Sequence, residues 1–372
     1  MKQSNKKLLD PVAITQWLNN RNWNNIESYL DNIPRDTYRS WEYMAKSLVQ
    51  EFRNYDLQSS VKNFDKACQV SVDDAYFYNT YSGIFLKLNK KSKSLEFANQ
   101  AIRIDPTNPL YFMSLSYAAL ENQKYDIAFN AAQEAKKNLS SKQTVSQNQI
   151  DMMLKRVSPI WNSPLKGKKL NLVRIENRHK EFLLQTRKNQ EFQHHYNLFI
   201  NDSERALDND IKMSQKPPLD TRKIDWIIEK NNQAIGIASL AGLDMHNRTA
   251  EILVGFPGKK SFKNSLEAML LICEFAFCKI NLHKLISHVY SDNPSAQGNT
   301  INFGFEQEGF QKSQIYDEKL KNRLGVHING CLSEDFFRNK KIMKMSERII
   351  GRDLSPKKFK YSKINIINST KK

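Results

Sequence analysis

Residues of matching type recur every 34 positions in the first part of this chain, and this register constrains its fold more than any other feature. Three sets of residues, mostly small, keep that spacing: Ala67, Ala101 and Ala135; Ser60, Ser94 and Ala128; and Phe64, Ala98 and Ala132. Small side chains at these offsets allow the two helices of a hairpin to approach closely. The register therefore predicts a stack of helical hairpins over residues 38–140.

The middle copy of the repeat also has a closing turn that its residues explain. It begins at Ala75 and ends in AIRIDPTNP, where Asp105 favours a turn and Pro106 cannot continue a helix. The period and this turn resemble the tetratricopeptide repeat (TPR). The resemblance implies a scaffold that binds a protein partner, although a rigid spacer or a dimerisation module fits the same residues. We expect residues 1–37 to form a helical cap, because a solenoid needs an atypical repeat at its end.

The length of 372 residues indicates about two domains. Residues 141–168 are rich in Ser, Gln, Pro and Lys, and we interpret them as the linker between these domains. No apolar run is long enough for a membrane span, and the start MKQSNKKLLDP lacks the apolar segment of a secretory signal. We therefore expect a cytoplasmic protein with no membrane partner.

The net charge of +18 raises the question of nucleic-acid binding. The excess is mostly lysine, scattered along the chain without the interleaved aromatic residues of a single-strand-binding face. It is concentrated only at the N-terminus and in a basic tail, residues 348–372. We therefore predict no specific nucleic-acid partner, with an RNA- or ribosome-associated factor that binds through its lysine-rich ends as the alternative.

The cysteines and histidines do not have the spacing of a metal site. The chain contains four cysteines, Cys68, Cys273, Cys278 and Cys331, with no CxxC pair and no histidine at zinc-finger spacing. The pair His194-His195 is a possible fragment of a ligand set, but no Asp or Glu at helical spacing completes it. We predict a surface position for this pair and no bound metal.

The periodicity changes from Leu170 onwards. LNLVRI reads as a strand, and HKEFLLQTRKNQEFQHHYN as an amphipathic helical stretch. Three strands with Asn-Asn and His-Asn turns follow, then a helix, the strand KLISHVY, a short helix after Asp292, and two closing strands. The order β-α-β-β-β-α-β-α-β-β predicts a mixed α/β unit over residues 169–347, with its sheet covered on both faces.

A series of short motifs runs through this unit in a fixed order: Ile235-Gly236, Ala238-Ser239-Leu240, Ala250-Glu251-Ile252, Leu266-Glu267-Ala268, Phe275-Ala276-Phe277, Asn281-Leu282-His283-Lys284, Val289, Asn293, Ala296, Gly304-Phe305 and Glu308-Gly309. The series and the element order together resemble the GNAT superfamily of N-acetyltransferases. Within it, they are most similar to the branch that acetylates ribosomal-protein N-termini, polyamines and amino sugars. The fold class implied for the whole chain is an all-α solenoid followed by a mixed α/β acyl-CoA N-acyltransferase fold.

The resemblance implies acetyl-CoA as a substrate and a place for it. Acetyl-CoA lies along the run Glu251–Phe256, which splays away from the next strand, and a backbone N–H near Leu253 or Val254 polarises the thioester carbonyl. Glu251 or a water molecule acts as the base. Asn293 is a structural or CoA-facing amide. The pyrophosphate lies on the loop and helix N-terminus that follow the strand.

Two positions depart from the family's pattern. The phosphate loop aligns with Lys260, Ser261, Phe262, Lys263, Asn264 and Ser265. Lys263 replaces a glycine that lets backbone approach phosphate, and Thr300 stands where the family commonly has a tyrosine acid.

These departures leave two interpretations. In the first, Lys260 and Lys263 hold the pyrophosphate by charge, and the enzyme transfers acetyl groups to a primary amine without a side-chain acid. The helical repeats then recruit the acceptor or a partner protein. In the second, the chain is a non-catalytic interaction protein with a degenerate GNAT fold.

Overall fold

The computed structural model describes residues 8–71, 73–139, 145–196, 203–258, 261–317 and 321–354. The chain divides into two compact units, Met1–Leu154 and Lys155–Lys372. The described part of the first unit is helical, and the second is built on a mixed sheet with helices, so the predicted fold class is confirmed. None of the helices in the described ranges is both long and apolar enough to span a bilayer.

The first unit is a series of helical hairpins. Its helices are α1 (Pro11–Asn19), α2 (Trp23–Asp31), α3 (Ser40–Phe52), α4 (Leu57–Val70), α5 (Ala75–Lys87), α6 (Lys91–Ile104), α7 (Pro109–Glu121), α8 (Tyr125–Lys137) and α9 (Gln147–Arg156), which crosses into the second unit. Helices α3 and α4, α5 and α6, and α7 and α8 pack as hairpins.

The small residues of the 34-residue register lie where these hairpin helices meet. Ala67, Ala101 and Ala135 are fully buried on the second helix of each hairpin. The hydroxyl of Ser82 donates to the carbonyl of Ser94 at 2.9 Å, and that of Ser116 donates to the carbonyl of Ala128 at 2.7 Å. Such bonds require close helix approach, so the predicted hairpins are confirmed. Their assignment as TPRs stays a prediction.

The second unit is organised by a sheet with the strand order β1-β2-β3-β4-β5-β6-β8-β7. Its strands are β1 (Leu165–Lys166), β2 (Leu170–Arg174), β3 (Ile224–Lys230), β4 (Gln233–Asp244), β5 (Thr249–Gly255), β6 (Lys284–Tyr290), β7 (Glu306–Asp317) and β8 (Asn322–Leu332). From β2 onwards, strands and helices follow the predicted order. The Asn-Asn turn between β3 and β4 is also present, with Asn231 and Asn232 both at positive φ.

The helices of the second unit lie between and after these strands. They are α10 (Lys180–Lys188), α11 (Gln190–Tyr196), α12 (Glu204–Ser214), α13 (Pro218–Thr221), α14 (Phe262–Cys273) with a π-helical extension (Glu274–Lys279), α15 (Pro294–Phe303), α16 (Ser333–Arg338) and α17 (Lys340–Ile350). The sequence analysis did not anticipate α12, α13, α16 or α17.

Helices cover the sheet on both faces, as predicted. Trp226, Leu240 and Ile252 project from one face into the main core, where Phe275 and residues of α14 and α17 meet them. Ile227 projects from the other face and packs with Leu183 of α10 and with residues of α12. The second cluster is smaller, which leaves room for a cavity on that face.

The segment 141–168 falls partly outside the described residues. Its described part contains α9 and β1, and the division between the two units at residue 154 lies inside it. Of the basic tail, residues 348–354 are described and residues 355–372 lie outside the described ranges. The domain limits given above stay predictions.

Candidate active site

Strands β5 and β6 run parallel and then separate. Their pairing joins Thr249 with Lys284, Ala250 with Leu285 and Glu251 with Ile286, and it ends there. Beyond this point β5 stays paired with β4 as far as Gly255, and β6 stays paired with β8 as far as Tyr290. Within the described residues no strand pairs with the β6-facing edge of β5 from Ile252 to Gly255. Backbone N–H and C=O groups on this edge are therefore open to a ligand.

The separation opens a cleft of about 290 Å³, here called the β5–β6 cleft. Both strands, α11, α14 and the beginning of α15 line it. Five residues predicted for the site are among its lining: Leu253, Val254, Ser265, Asn293 and Thr300. Predicted residues from three separate elements, β5, α14 and α15 with its N-cap, thus lie at one cleft.

A glycine sets one wall of the cleft. A Cβ atom on Gly255 would lie 2.6 Å from ring atoms of both Phe192 and Tyr196 on α11. These two rings stack with centroids 4.9 Å apart, and the amide of Asn189 donates to the carbonyl of Pro257 at 2.9 Å. Glycine therefore allows α11 to lie against β5. This wall was not predicted, because Phe192 and Tyr196 lie more than 50 positions before Gly255 and no local sequence pattern links them to it.

Glu251, predicted as the base, is paired with a histidine. One of its carboxylate oxygens lies 2.9 Å from Nδ1 of His288 on β6, and both side chains are about one-third exposed. The hydrogen bond with Glu251 raises the pKa of His288 above its ordinary value of 6.5, against an opposing effect of burial. His288 itself lines the cleft, and no described residue bonds its Nε2 atom.

His288 was missed by the sequence analysis, although one signal pointed to it. In KLISHVY the alternation of a strand places His288 on the same face as Ile286, the partner of Glu251 in the parallel pairing. The pairing register was needed to bring the histidine and the carboxylate together.

The predicted phosphate loop leads into α14. The hydroxyl of Ser261 caps this helix by accepting from the N–H of Asn264 at 3.5 Å, and Ser265 donates to the carbonyl of Ser261 at 3.3 Å. The remaining N–H groups of the first turn and the helix dipole favour an anion here. Among these residues only Ser265 lines the cleft.

Two residues of the loop, Phe262 and Lys263, are exposed. Phe262 is 64% exposed, and Lys263 projects into solvent from the first turn of α14. Lys260 lies outside the described residues. Contact of Lys260 and Lys263 with a pyrophosphate stays a prediction.

Helix α15 and its N-cap contribute two of the predicted residues. The side-chain oxygen of Asn293 accepts from the N–H of Ala296 at 3.1 Å and caps the helix, which is a structural role. Thr300 lies farther along the same helix and also lines the cleft. Its hydroxyl is a hydrogen-bond donor but a far weaker acid than a phenol.

A second cavity of about 550 Å³, here called the side cavity, lies over the sheet face that carries Glu251. Its lining combines apolar residues of α10 and α12 with Asp225, Ile237 and Ser239 of the sheet. Cross-strand pairing puts Ser239, which lines the cavity, opposite Leu253, which lines the cleft, so the two spaces lie on neighbouring strands. Phe192 and Tyr196 line both spaces. Burial raises the pKa of Tyr196, whose hydroxyl lies 3.4 Å from that of Ser239.

Comparisons with known proteins give no family assignment. No protein-family model matches this chain, and no curated protein matches it. A GNAT-family acetyltransferase from Bacillus anthracis is 16% identical, with a TM-score of 0.41, over 46% of this chain and 99% of its own. Spermidine N-acetyltransferase from Vibrio cholerae, in complex with CoA and spermine, is 19% identical, with a TM-score of 0.40, over 45% and 98%.

Proposed function

We propose that the second unit transfers an acetyl group from acetyl-CoA to a primary amine. The observation that carries this proposal is the open edge of β5 from Ile252 to Gly255, bordered by the β5–β6 cleft. An extended amide-containing chain such as the pantetheine arm can pair with such an edge as an additional strand does. Gly255 has no side chain, so the rings of Phe192 and Tyr196 lie directly against this end of the strand.

The backbone of β5 supplies the electrophilic assistance. When the amine nitrogen attacks the thioester carbon, negative charge develops on the carbonyl oxygen. A backbone N–H near Leu253 or Val254, both in the cleft lining, donates to that oxygen and stabilises the tetrahedral intermediate. The C–S bond then breaks, and the CoA thiolate leaves without a side-chain acid. Thr300 donates a hydrogen bond to the leaving sulfur.

The pair of His288 and Glu251 removes the proton of the amine. The neutral ring accepts this proton at Nε2, because Nδ1 is already directed at the Glu251 carboxylate. Glu251 holds the ring in place and stabilises the imidazolium that forms. Glu251 therefore acts through His288, whereas the sequence analysis assigned the base to Glu251 itself or to a water molecule.

The acceptor amine occupies the side cavity. This cavity lies on the sheet face that carries Glu251, and its lining combines apolar side chains of α10 and α12 with the charged side chains of Arg187, Asp210, Lys223 and Asp225. An acceptor ammonium group would take the place of that of Lys223, which lies 3.0 Å from the Asp225 carboxylate. An amine that carries an apolar body fits this lining best.

Thiol release from acetyl-CoA in the presence of amines tests the proposal. The panel contains a polyamine, an amino sugar and peptides with free N-termini, and mass spectrometry identifies the acetylated product. We expect acceptor-dependent release with at least one class of amine. A folded protein that binds acetyl-CoA but transfers nothing to any of these amines would favour the non-catalytic interaction protein.

Charge at the start of α14 should matter for acetyl-CoA affinity. Lys263 replaces the family's glycine, so we propose that its ammonium group contacts the pyrophosphate. We expect Lys263→Ala to weaken acetyl-CoA binding about tenfold, since charge-assisted hydrogen bonds are among the stronger ones. Lys279→Ala, exposed at the far end of the same helical segment, is the matched control. Calorimetry at low and high salt measures both variants, and the loss should shrink at high salt. Binding that is indifferent to Lys263→Ala at low salt contradicts this assignment.

We propose further that the helical hairpins of the first unit recruit a macromolecular acceptor or a partner protein. The support is the regular 34-residue stack of α3–α8, a form that offers an extended protein-binding surface. A chain that begins at Lys155 should show a raised KM for the macromolecular acceptor and unchanged turnover of a small amine. Equal losses with both substrates would assign the hairpins a purely stabilising role.

A further inference from the structure

Three potential metal ligands meet at the rim of the β5–β6 cleft. His194 and His195 lie in the last turn of α11, and Asp292 lies in the turn between β6 and α15. One ligand atom from each of the three lies within 4.8 Å of the others. The sequence shows no carboxylate at helical spacing from the histidine pair. In the structure Asp292 supplies one, from a turn 98 positions after His194. His194 and His195 were expected at the surface, whereas both are half-buried in the structure.

His194 is flanked by two carboxylates, one at each ring nitrogen. Its Nδ1 lies 2.9 Å from an oxygen of Asp317, which is 2% exposed, and its Nε2 contacts the carboxylate of Asp292. A neutral imidazole with its proton on Nδ1 directs the lone pair of Nε2 at a carboxylate oxygen. A metal ion bound to both atoms would lie between them.

We propose that His194, His195 and Asp292 form a binding site for a divalent transition metal of the zinc class. Two imidazole nitrogens and one carboxylate oxygen are a donor set that suits Zn²⁺ and leaves a fourth position open. Asp317 accepts the N–H of the ring nitrogen that does not bind the metal. A carboxylate in this outer position fixes the tautomer of a ligating histidine and raises its basicity.

The side chains reach coordinating geometry with small movements. Bonds of about 2.0 to 2.2 Å to one ion place tetrahedral donors roughly 3.5 Å apart. The three ligand atoms, which are now up to 4.8 Å apart, therefore have to move closer together. The close contact between Nε2 of His194 and Asp292 has to open. The side chain of Asp292 is 30% exposed and free of core packing, so its rotation outward accommodates the ion.

A metal ion at this site would link two elements that border the β5–β6 cleft. His195 lines the cleft, and so does Asn293, the residue after Asp292. Helix α11 carries Phe192 and Tyr196, which form the aromatic wall against Gly255. A metal at this site joins α11 to the turn before α15 across the rim of the cleft, and thereby stabilises the wall. This inference is independent of whether the cleft transfers acetyl groups.

Titration of the full-length protein with Zn²⁺ or Co²⁺ alone tests the site. We expect one equivalent to bind, a rise in Tm, and a Co²⁺ visible spectrum without the band of thiolate ligation that cysteine ligands would produce. His195→Asn and Asp292→Asn should each abolish stoichiometric binding. Asp317→Asn should weaken binding by about 10- to 100-fold, the usual effect of losing an outer carboxylate partner.

His246→Asn is the matched control, because His246 is an exposed histidine at the tip of the β4–β5 hairpin. It should leave metal affinity unchanged. If wild-type protein binds no equivalent of either metal, the proposal is overturned. Stoichiometric binding that survives both His195→Asn and Asp292→Asn overturns it equally. Both variants alter partly exposed side chains, so the test does not depend on the folding of a His194 variant.

Discussion

His288→Gln should reduce kcat for acetyl transfer by about 10²- to 10⁴-fold, the usual contribution of a positioned general base. Glutamine keeps a polar side chain of similar length but has no nitrogen that takes a proton at neutral pH. The open edge of β5 is unaltered, so the Kd for acetyl-CoA should change no more than about threefold. Steady-state kinetics with the best amine and calorimetry with acetyl-CoA measure the two effects separately.

The pH profile distinguishes a base from a merely structural histidine. Activity of the wild type should rise with pH through the pKa of His288, which Glu251 holds above 6.5. Glu251→Gln removes this effect, so the acidic limb should move to lower pH while the plateau rate falls. His246→Gln provides the control. An acidic limb that stays in place in Glu251→Gln, or kcat that is retained in His288→Gln, contradicts the assignment of this pair.

The same pair makes a contribution to folding stability with a defined sign. The pKa of His288 is raised in the folded protein, so its contribution is complete below the unfolded value near 6.5. It is lost as the pH rises through the raised folded pKa. The pair therefore stabilises the fold at mildly acidic pH, whereas catalysis needs the neutral ring at higher pH.

Gly255→Val should abolish most acetyl-CoA binding. The Cβ of the new side chain alone would lie 2.6 Å from both Phe192 and Tyr196, so β5 and α11 cannot keep their present separation. Overpacking of this kind costs about 1 to 3 kcal/mol, and a distortion taken wholly from binding weakens it by roughly 5- to 150-fold. Calorimetry gives the change in Kd, and thermal unfolding checks that the variant is folded.

A matched control and a rescue separate this effect from general destabilisation. Gly298→Val adds the same side chain in α15, where a new Cβ meets nothing within 4 Å, and Gly298 does not line the cleft. It should bind acetyl-CoA as the wild type does. Adding Phe192→Ala to Gly255→Val should restore part of the affinity, because it removes one of the two rings. Unchanged affinity in Gly255→Val would mean that acetyl-CoA does not lie along this part of β5.

The order of strands and helices in the second unit was predictable because local periodicity determines it. KLISHVY coincides with β6, and the residues that follow Asp292 form α15. Four residues that the resemblance to the GNAT superfamily singled out, Leu253, Val254, Asn293 and Thr300, line one cleft, and their roles stay predictions. In the first unit the alanine register was sufficient to predict the helical hairpins. Small residues are required in every repeat only at buried positions between helices.

Pairs that are distant in the sequence were not predictable. His288 and Glu251 are 37 positions apart, and His194 and Asp292 are 98 apart. Each pair depends on strand register or on the packing of α11, neither of which leaves a local signal. Gly255 was passed over for the same reason, because its requirement for glycine arises from the rings of α11 and not from its own backbone angles.

Calorimetric titration of the full-length protein with acetyl-CoA tests the central claim most directly, since every step of the proposed reaction requires acetyl-CoA in the β5–β6 cleft. We expect saturable binding of one molecule with a Kd at or below about 1 mM, the upper end of usual substrate affinities. The affinity should fall in Gly255→Val and stay unchanged in Gly298→Val. A folded wild-type protein that shows no saturable heat with millimolar acetyl-CoA would contradict the account.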